Sequence, residues 1–151
     1  MLLLTFSVQA NLYGVTADTV VEVVRAVAVV PLPGAPRIVE GVFNYRGRLV
    51  PLLDFRSRFG HDAQPLHPDD HFVIAGAGQR VVAIRADRVH DVTTVDEHSV
   101  TPVADVAPGM RRITGLASDG PSIVLIHDLE TFLTAAEADD TDRALSAAKG
   151  L

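Results

Sequence analysis

Two blocks of this sequence recur in the same order, and that repetition limits the possible folds more than any other feature. "YGVTADTVVEVV" (13–24) lies over "VAIRADRVHDVT" (82–93), sharing the pattern apolar-x-Ala-Asp-x-Val-x-acid-Val. Ala17, Asp18, Val20, Glu22 and Val23 thus answer to Ala86, Asp87, Val89, Asp91 and Val92. Then "VEGVFNYRGRLVPLLDF" (39–55) lies over "ITGLASDGPSIVLIHDL" (113–129) without a gap, matching Gly41 to Gly115 and Asp54 to Asp128. Each copy spans roughly 65–75 residues, too few to bury much surface alone, so two copies must share a core.

The repeated unit reads as β. Strand-like segments are Leu2–Val8, Leu12–Val15, Val23–Val30, Val39–Phe43, Arg48–Leu53, His71–Ala75, Arg80–Arg85, Val89–Val95, Ile113–Ala117 and Ile123–His127. They are short, rich in Val, Ile and Leu, and punctuated by Gly, Pro, Asn and Asp, the pattern of an all-β barrel or sandwich. Two pseudo-symmetric five-stranded barrels packed together accommodate them. Helical pattern is confined to Thr16–Val21, Phe55–Phe59 and a C-terminal piece, "DLETFLTAAEADDTDRALSAAK", with Asp128 as its expected N-cap. Asp54 and Asp128 each follow a buried strand and precede a helical turn, so both read as structural caps. The expected organisation is one domain over 1–138, made of two interleaved barrels, followed by a polar tail over 139–151, helical or frayed.

Composition excludes several functions. A net charge of −6 argues against a protein that tracks phosphates, which normally shows a basic face. Zero cysteines exclude disulfides, thiolate metal sites and cysteine nucleophiles. The start, "MLLLTFSVQA", lacks the positive segment and the apolar length of a signal peptide, and reads as a first strand. No apolar run reaches the roughly 18 residues of a membrane span, because Glu22 and Arg25 interrupt the longest one. A soluble cytoplasmic protein is the expectation.

Where the copies agree, the constraint is fold; where they differ, it is something else. Copy one carries "NYRGR" (44–48) at the turn before its apolar strand, and copy two carries "SDGPS" (118–122), an ordinary turn. Arg46 therefore has no counterpart. An arginine in a barrel wall is costly unless paired, and Glu22 in the preceding block is the candidate partner. Such a pair would hold Arg46 in one geometry and leave donors for another protein; a weak surface ion pair is the plainer alternative.

At these residues the chain resembles the CheW-like domains of bacterial chemotaxis coupling proteins. "IVEGVFNYRGRLVPLLDFRSRFG" (38–60) matches that family's signature through Gly41, Val42, Asn44, Arg46, Gly47, Pro51, Asp54 and Gly60. "VPLPGAP", "IRADRV" and "ITGLASDGPSIVLIHDL" extend the resemblance over about residues 2–133. It implies two SH3-like barrels in a cytoplasmic, non-enzymatic adaptor without cofactor. The implied partners are the helical tip of a methyl-accepting chemoreceptor and the regulatory domain of a CheA-type histidine kinase, with membranes reached only through receptors. The partner-binding residues it transfers are Glu22, Arg46, Gly47, Asn44, Val42 and Val20. Tyr45 departs from the family pattern, which has an aliphatic there, and His127 stands at a normally apolar position.

Rival readings have little support in the residues. No Gly-rich phosphate loop, Gly-x-Ser-x-Gly elbow or His-Glu-x-x-His is present. His61, His67, Asp69, Asp70 and His71 crowd one loop, but their spacing suits no fixed tetrahedral metal site. A small binding module with a metal in that loop remains the alternative. Two Tyr and six Phe on an acidic chain do not make the stacking groove of a nucleic-acid barrel.

Overall fold

Strand exchange between the two halves of the chain organises the architecture seen in the computed structural model, which describes residues 1–102, 113–119 and 122–149. The chain begins with hairpin β1 (Leu2–Val8) and β2 (Asn11–Thr16), then passes a 3-10 turn at Ala17–Thr19. β3 (Val20–Arg25), β4 (Val39–Tyr45), β5 (Arg48–Leu53) and a single helical turn α1 (Phe55–Arg58) follow. The second half supplies β6 (His71–Ala77), β7 (Arg80–Ala86), β8 (Arg88–Thr94), the two-residue β9 (Thr101–Pro102), β10 (Ile113–Asp119) and β11 (Ser122–His127). Helix α2 (Ala135–Lys149) follows a 3-10 turn at Leu129–Thr131.

These strands form two sheets, in the orders β8-β1-β2-β11-β10-β9 and β3-β6-β7-β5-β4. The sequence repeat maps one order onto the other: β3, β6, β7, β5 and β4 become β8, β1, β2, β11 and β10. Each sheet therefore takes its first hairpin from one copy and its remaining strands from the other. Register follows the same mapping. Leu52 lies opposite Ala83 across the parallel β5–β7 pair, and Ile126 lies opposite Gly14 across β11–β2. The register shifts at Val39/Gly41 and again at Ile113/Gly115. This is the all-β, two-barrel architecture the repeat predicts, with β9 as an added sixth strand in the first sheet.

The core has three parts. Phe43, Val50, Leu52, Phe72, Ile74 and Ala83 fill one barrel. Leu3, Val95, Ala117, Val124 and Ile126 fill the other. Between them, Leu4, Phe6, Val8, Tyr13 and Val15 pack against Val39, Val42, Leu53, Val73 and Ala75 in a shared layer. That layer is why neither copy needs to be stable alone.

Gly41 and Gly115 mark where a second segment crosses each barrel. A Cβ on Gly41 would lie 2.5 Å from the Val30 carbonyl oxygen, and one on Gly115 2.5 Å from Val100 Cγ1. At Gly41 the crossing chain is held by reciprocal backbone bonds between Val30 and Val42, at 2.9 and 2.8 Å.

The structure departs from the sequence pattern at three places. The strand expected over Val23–Val30 is β3, Val20–Arg25, because the chain then leaves the sheet and returns only for the Val30–Val42 bridge. The helical piece at Thr16–Val21 shrinks to the 3-10 turn. The C-terminal piece is not one helix from Asp128: that residue caps the 3-10 turn, accepting from Glu130 N at 3.0 Å. The long helix starts afresh at a capping box, in which Thr134 Oγ1 accepts from Glu137 N (3.1 Å) and Glu137 Oε1 accepts from Thr134 N (2.9 Å).

Candidate docking site

Arg46 and Gly47 form the two-residue turn joining β4 to β5, with φ of +50° and +82°. Positive φ at both positions defines the type I′ hairpin turn, whose twist matches that of its strands. Glycine adopts it freely; an arginine there carries strain on the order of 1 kcal/mol. Asn44 relieves part of the turn's polar demand, its Oδ1 accepting from Gly47 N at 2.9 Å. The turn lifts Arg46 into solvent, with 75% of its side chain exposed.

Glu22, on β3, faces this turn although β3 and β4 lie at opposite ends of the sheet order. Barrel curvature and the Val30–Val42 bridge bring the two edges together. Arg46 Nη2 stands 3.5 Å from Glu22 Oε2. The same oxygen accepts a hydrogen bond from the Tyr45 hydroxyl, and the Arg46 guanidinium lies 5.3 Å from the Tyr45 ring centre. The Tyr45 phenol is raised above its ordinary pKa, first because of that hydrogen bond to Glu22. In the sequence Tyr45 stands out only as a departure from pattern; the fold brings its hydroxyl to Glu22.

Glu22, Asn44, Arg46 and Gly47 thus share one exposed corner. Val20 and Val42 do not: Val42 is buried in the shared core and Val20 packs half-buried against it. Exposed aliphatics on the same chain segment as Glu22 are Val21, Val27 and Val30. In the second copy, Gly120 and Pro121 of the corresponding turn lie outside the described residues.

Other polar groups serve the fold. Asp54 caps α1, accepting from Arg56 N at 2.9 Å. Arg56 is itself buried, paired with Asp87 and 3.8 Å from Asp54. Arg85 is sealed by Asp70, Glu40 and the carbonyls of Gln64 and Pro65. Burial opposes the charge of Arg85, but Glu40 and Asp70 more than offset it and hold the proton more tightly than in a free arginine. His127 is buried against the rings of Tyr13, Phe55, Phe59 and Phe132, with centroids 4.6 to 5.7 Å away. Among the described residues, no group of three or more His, Cys, Asp or Glu is placed to hold a metal. No described helix is long and apolar enough to cross a membrane.

The CheW-like domain family matches residues 2–137. The chain is 30% identical to a chemotaxis protein CheW of Treponema pallidum, covering 89% of this chain and 83% of that one. It is 28% identical to a chemotaxis protein CheW of Klebsiella aerogenes, covering 89% and 82%. The crystal structure of a scaffolding protein CheW from Thermoanaerobacter tengcongensis superposes with a TM-score of 0.80 at 27% identity, covering 90% of this chain and 89% of that one.

Proposed function

Because the chain belongs to the CheW-like domain family, we propose that it is a non-enzymatic adaptor coupling chemoreceptors to a CheA-type histidine kinase in bacterial chemosensory signalling. The observation that carries this reading is the hairpin corner: an exposed, strained Arg46 held beside Glu22. Among the described residues its guanidinium donates no hydrogen bond within the chain. A fold selected only for stability has no need of arginine at a left-handed turn position. Held off the backbone and lightly paired, this group is suited to meet another protein.

In this reading the corner of Glu22, Asn44, Arg46 and Gly47 contacts the helical tip of a receptor. Val20 and Val42 support it from the core side. Exposed aliphatic side chains nearby supply apolar area, as protein interfaces require. The adaptor works in the cytoplasm and meets the membrane only through receptors; residues 1–138 make up the docking domain and 139–151 its tail. It needs no cofactor, because joining two proteins involves no bond chemistry.

The test is direct. Purified chain is titrated against a receptor tip fragment and, separately, against the regulatory domain of the kinase. Binding of both, singly and together, supports the adaptor. Binding of neither, or turnover of a substrate by the purified chain, would overturn it.

A further inference from the structure

We propose that Tyr45 is a positioning residue that keeps Arg46 available for a partner's carboxylate, by hydrogen-bonding the Glu22 oxygen that Arg46 would otherwise capture. This rests on the adaptor reading and specifies the chemistry of the same corner.

The argument begins with competition for one carboxylate. Guanidinium and carboxylate planes frequently close into a bidentate pair, both contacts about 2.7–2.9 Å. Here Arg46 stops at 3.5 Å from Glu22 Oε2. The Tyr45 hydroxyl already donates to that oxygen, turning the carboxylate toward the phenol, and its ring lies beneath the guanidinium at 5.3 Å. Glu22 therefore orients Arg46 by charge without consuming its donors. The arginine fork stays open toward solvent.

What fits an open fork is another carboxylate. Arg48, also exposed, stands opposite Tyr45 in the hairpin register and brings a second positive charge to the same hairpin end. This cationic point stands on a chain of net charge −6. An acidic side chain of a docked receptor helix is attracted there, so the corner sets register as well as affinity. Without the Tyr45 hydroxyl, Glu22 turns onto Arg46, closes the bidentate pair and competes with the partner.

The experiment uses four full-length proteins: the parent, Tyr45→Phe, Glu22→Gln and the double variant. Each is titrated with a receptor tip fragment after melting temperatures have been matched. Tyr45→Phe is expected to weaken binding about five- to tenfold, as self-pairing replaces a charge-assisted contact. Glu22→Gln is expected to weaken it about two- to threefold, through lost orientation of Arg46. The double variant should bind no more weakly than Glu22→Gln alone, because Tyr45 acts only through the Glu22 charge. A Tyr45→Phe loss that persists undiminished beside Glu22→Gln overturns the proposal, since Tyr45 would then touch the partner or support the fold.

A second measurement needs no partner. Phenol titration followed by NMR should place Tyr45 above the ordinary tyrosine range in the parent and return it toward that range in Glu22→Gln. An ordinary titration in the parent removes the clamp. A parent that titrates as expected but binds no receptor fragment instead overturns the adaptor reading, and the partner half of this inference with it.

Discussion

Arg85 and Asp70 form a sealed ion pair, Nε to Oδ2 at 3.0 Å, with only 2% and 7% of their side chains exposed. Glu40 adds a second carboxylate at 3.0 Å from Nη1, and Gln64 and Pro65 lend backbone oxygens. The network ties β7 to the loop over 61–70 and to β4. Removing the cation leaves Asp70 buried without its partner, a situation that costs about 3–5 kcal/mol. Arg85→Ala is therefore expected to lower the urea midpoint severely, and Arg85→Ala with Asp70→Asn to recover part of the loss. Equal stability of parent and Arg85→Ala would show the network to be dispensable.

Gly41 and Gly115 hold equivalent places in the repeat but should differ in tolerance. The Cβ of an alanine at position 41 meets the Val30 carbonyl oxygen at 2.5 Å, and that backbone is fixed by the bridge to Val42. At position 115 the 2.5 Å neighbour is the Val100 side chain, and the nearest backbone atom, Thr101 O, is 3.5 Å away. Side chains yield more readily than bridged backbone. Gly41→Ala is expected to cost about 2–3 kcal/mol and Gly115→Ala about 1 kcal/mol. Equal losses in chemical denaturation would contradict the contrast.

The same pair shows what a sequence can disclose. Gly41, Gly115 and the strands around them were legible because the repeat imposes one backbone path twice, and path is written in local pattern. The exchange of hairpins between sheets left no local mark, since β1 and β6 are equally good strands in either barrel. Arg85 read as an ordinary strand residue because its partners come from positions 40, 64, 65 and 70, brought together only by folding. The capping box of Thr134 and Glu137 was different: "TAAE" is a local signal, overlooked because Asp128 offered an earlier plausible cap. At the docking corner, Glu22 and Arg46 could be paired by reasoning about cost. The hydroxyl of Tyr45 could not be placed without knowing that the barrel edges meet.

Stability and binding should separate at Arg46. Arg46→Gly relieves the positive φ and Arg46→Ala retains it, so the glycine variant should be the more stable by up to about 1 kcal/mol. Both remove the guanidinium, and both should weaken receptor binding alike. Calorimetric melting with a binding titration checks this. If the glycine variant keeps parental affinity, turn geometry rather than charge is what the partner reads.

The attachment of α2 should depend on acidity through Glu137. Burial pushes this carboxyl upward, but the Arg58 guanidinium at 2.6 Å and the Thr134 backbone donor more than offset it, leaving its pKa below the usual carboxylate value. A group depressed in the folded state contributes stability above its unfolded pKa and loses that contribution as pH falls through the folded value. For Glu137 the window lies below the ordinary 4.5. There the capping box and the Arg58 pair fail together. A second tie, Arg80 to Asp142 at 2.7 Å, holds the middle of the helix independently of Glu137. Beneath the helix Thr141 and Ala144 are buried, and Leu145 and Ala148 pack half-buried against the core. Amide exchange in α2 is therefore expected to quicken, as pH falls below 4.5, more than in β5 or β7, after correction for intrinsic rates. Glu137→Gln keeps an acceptor for Thr134 N but removes the charge that pairs with Arg58, and should reproduce part of that loosening at neutral pH, by up to about 1 kcal/mol. If exchange in α2 tracks that of the strands across the whole range, the helix is held by its other contacts and Glu137 does not govern it.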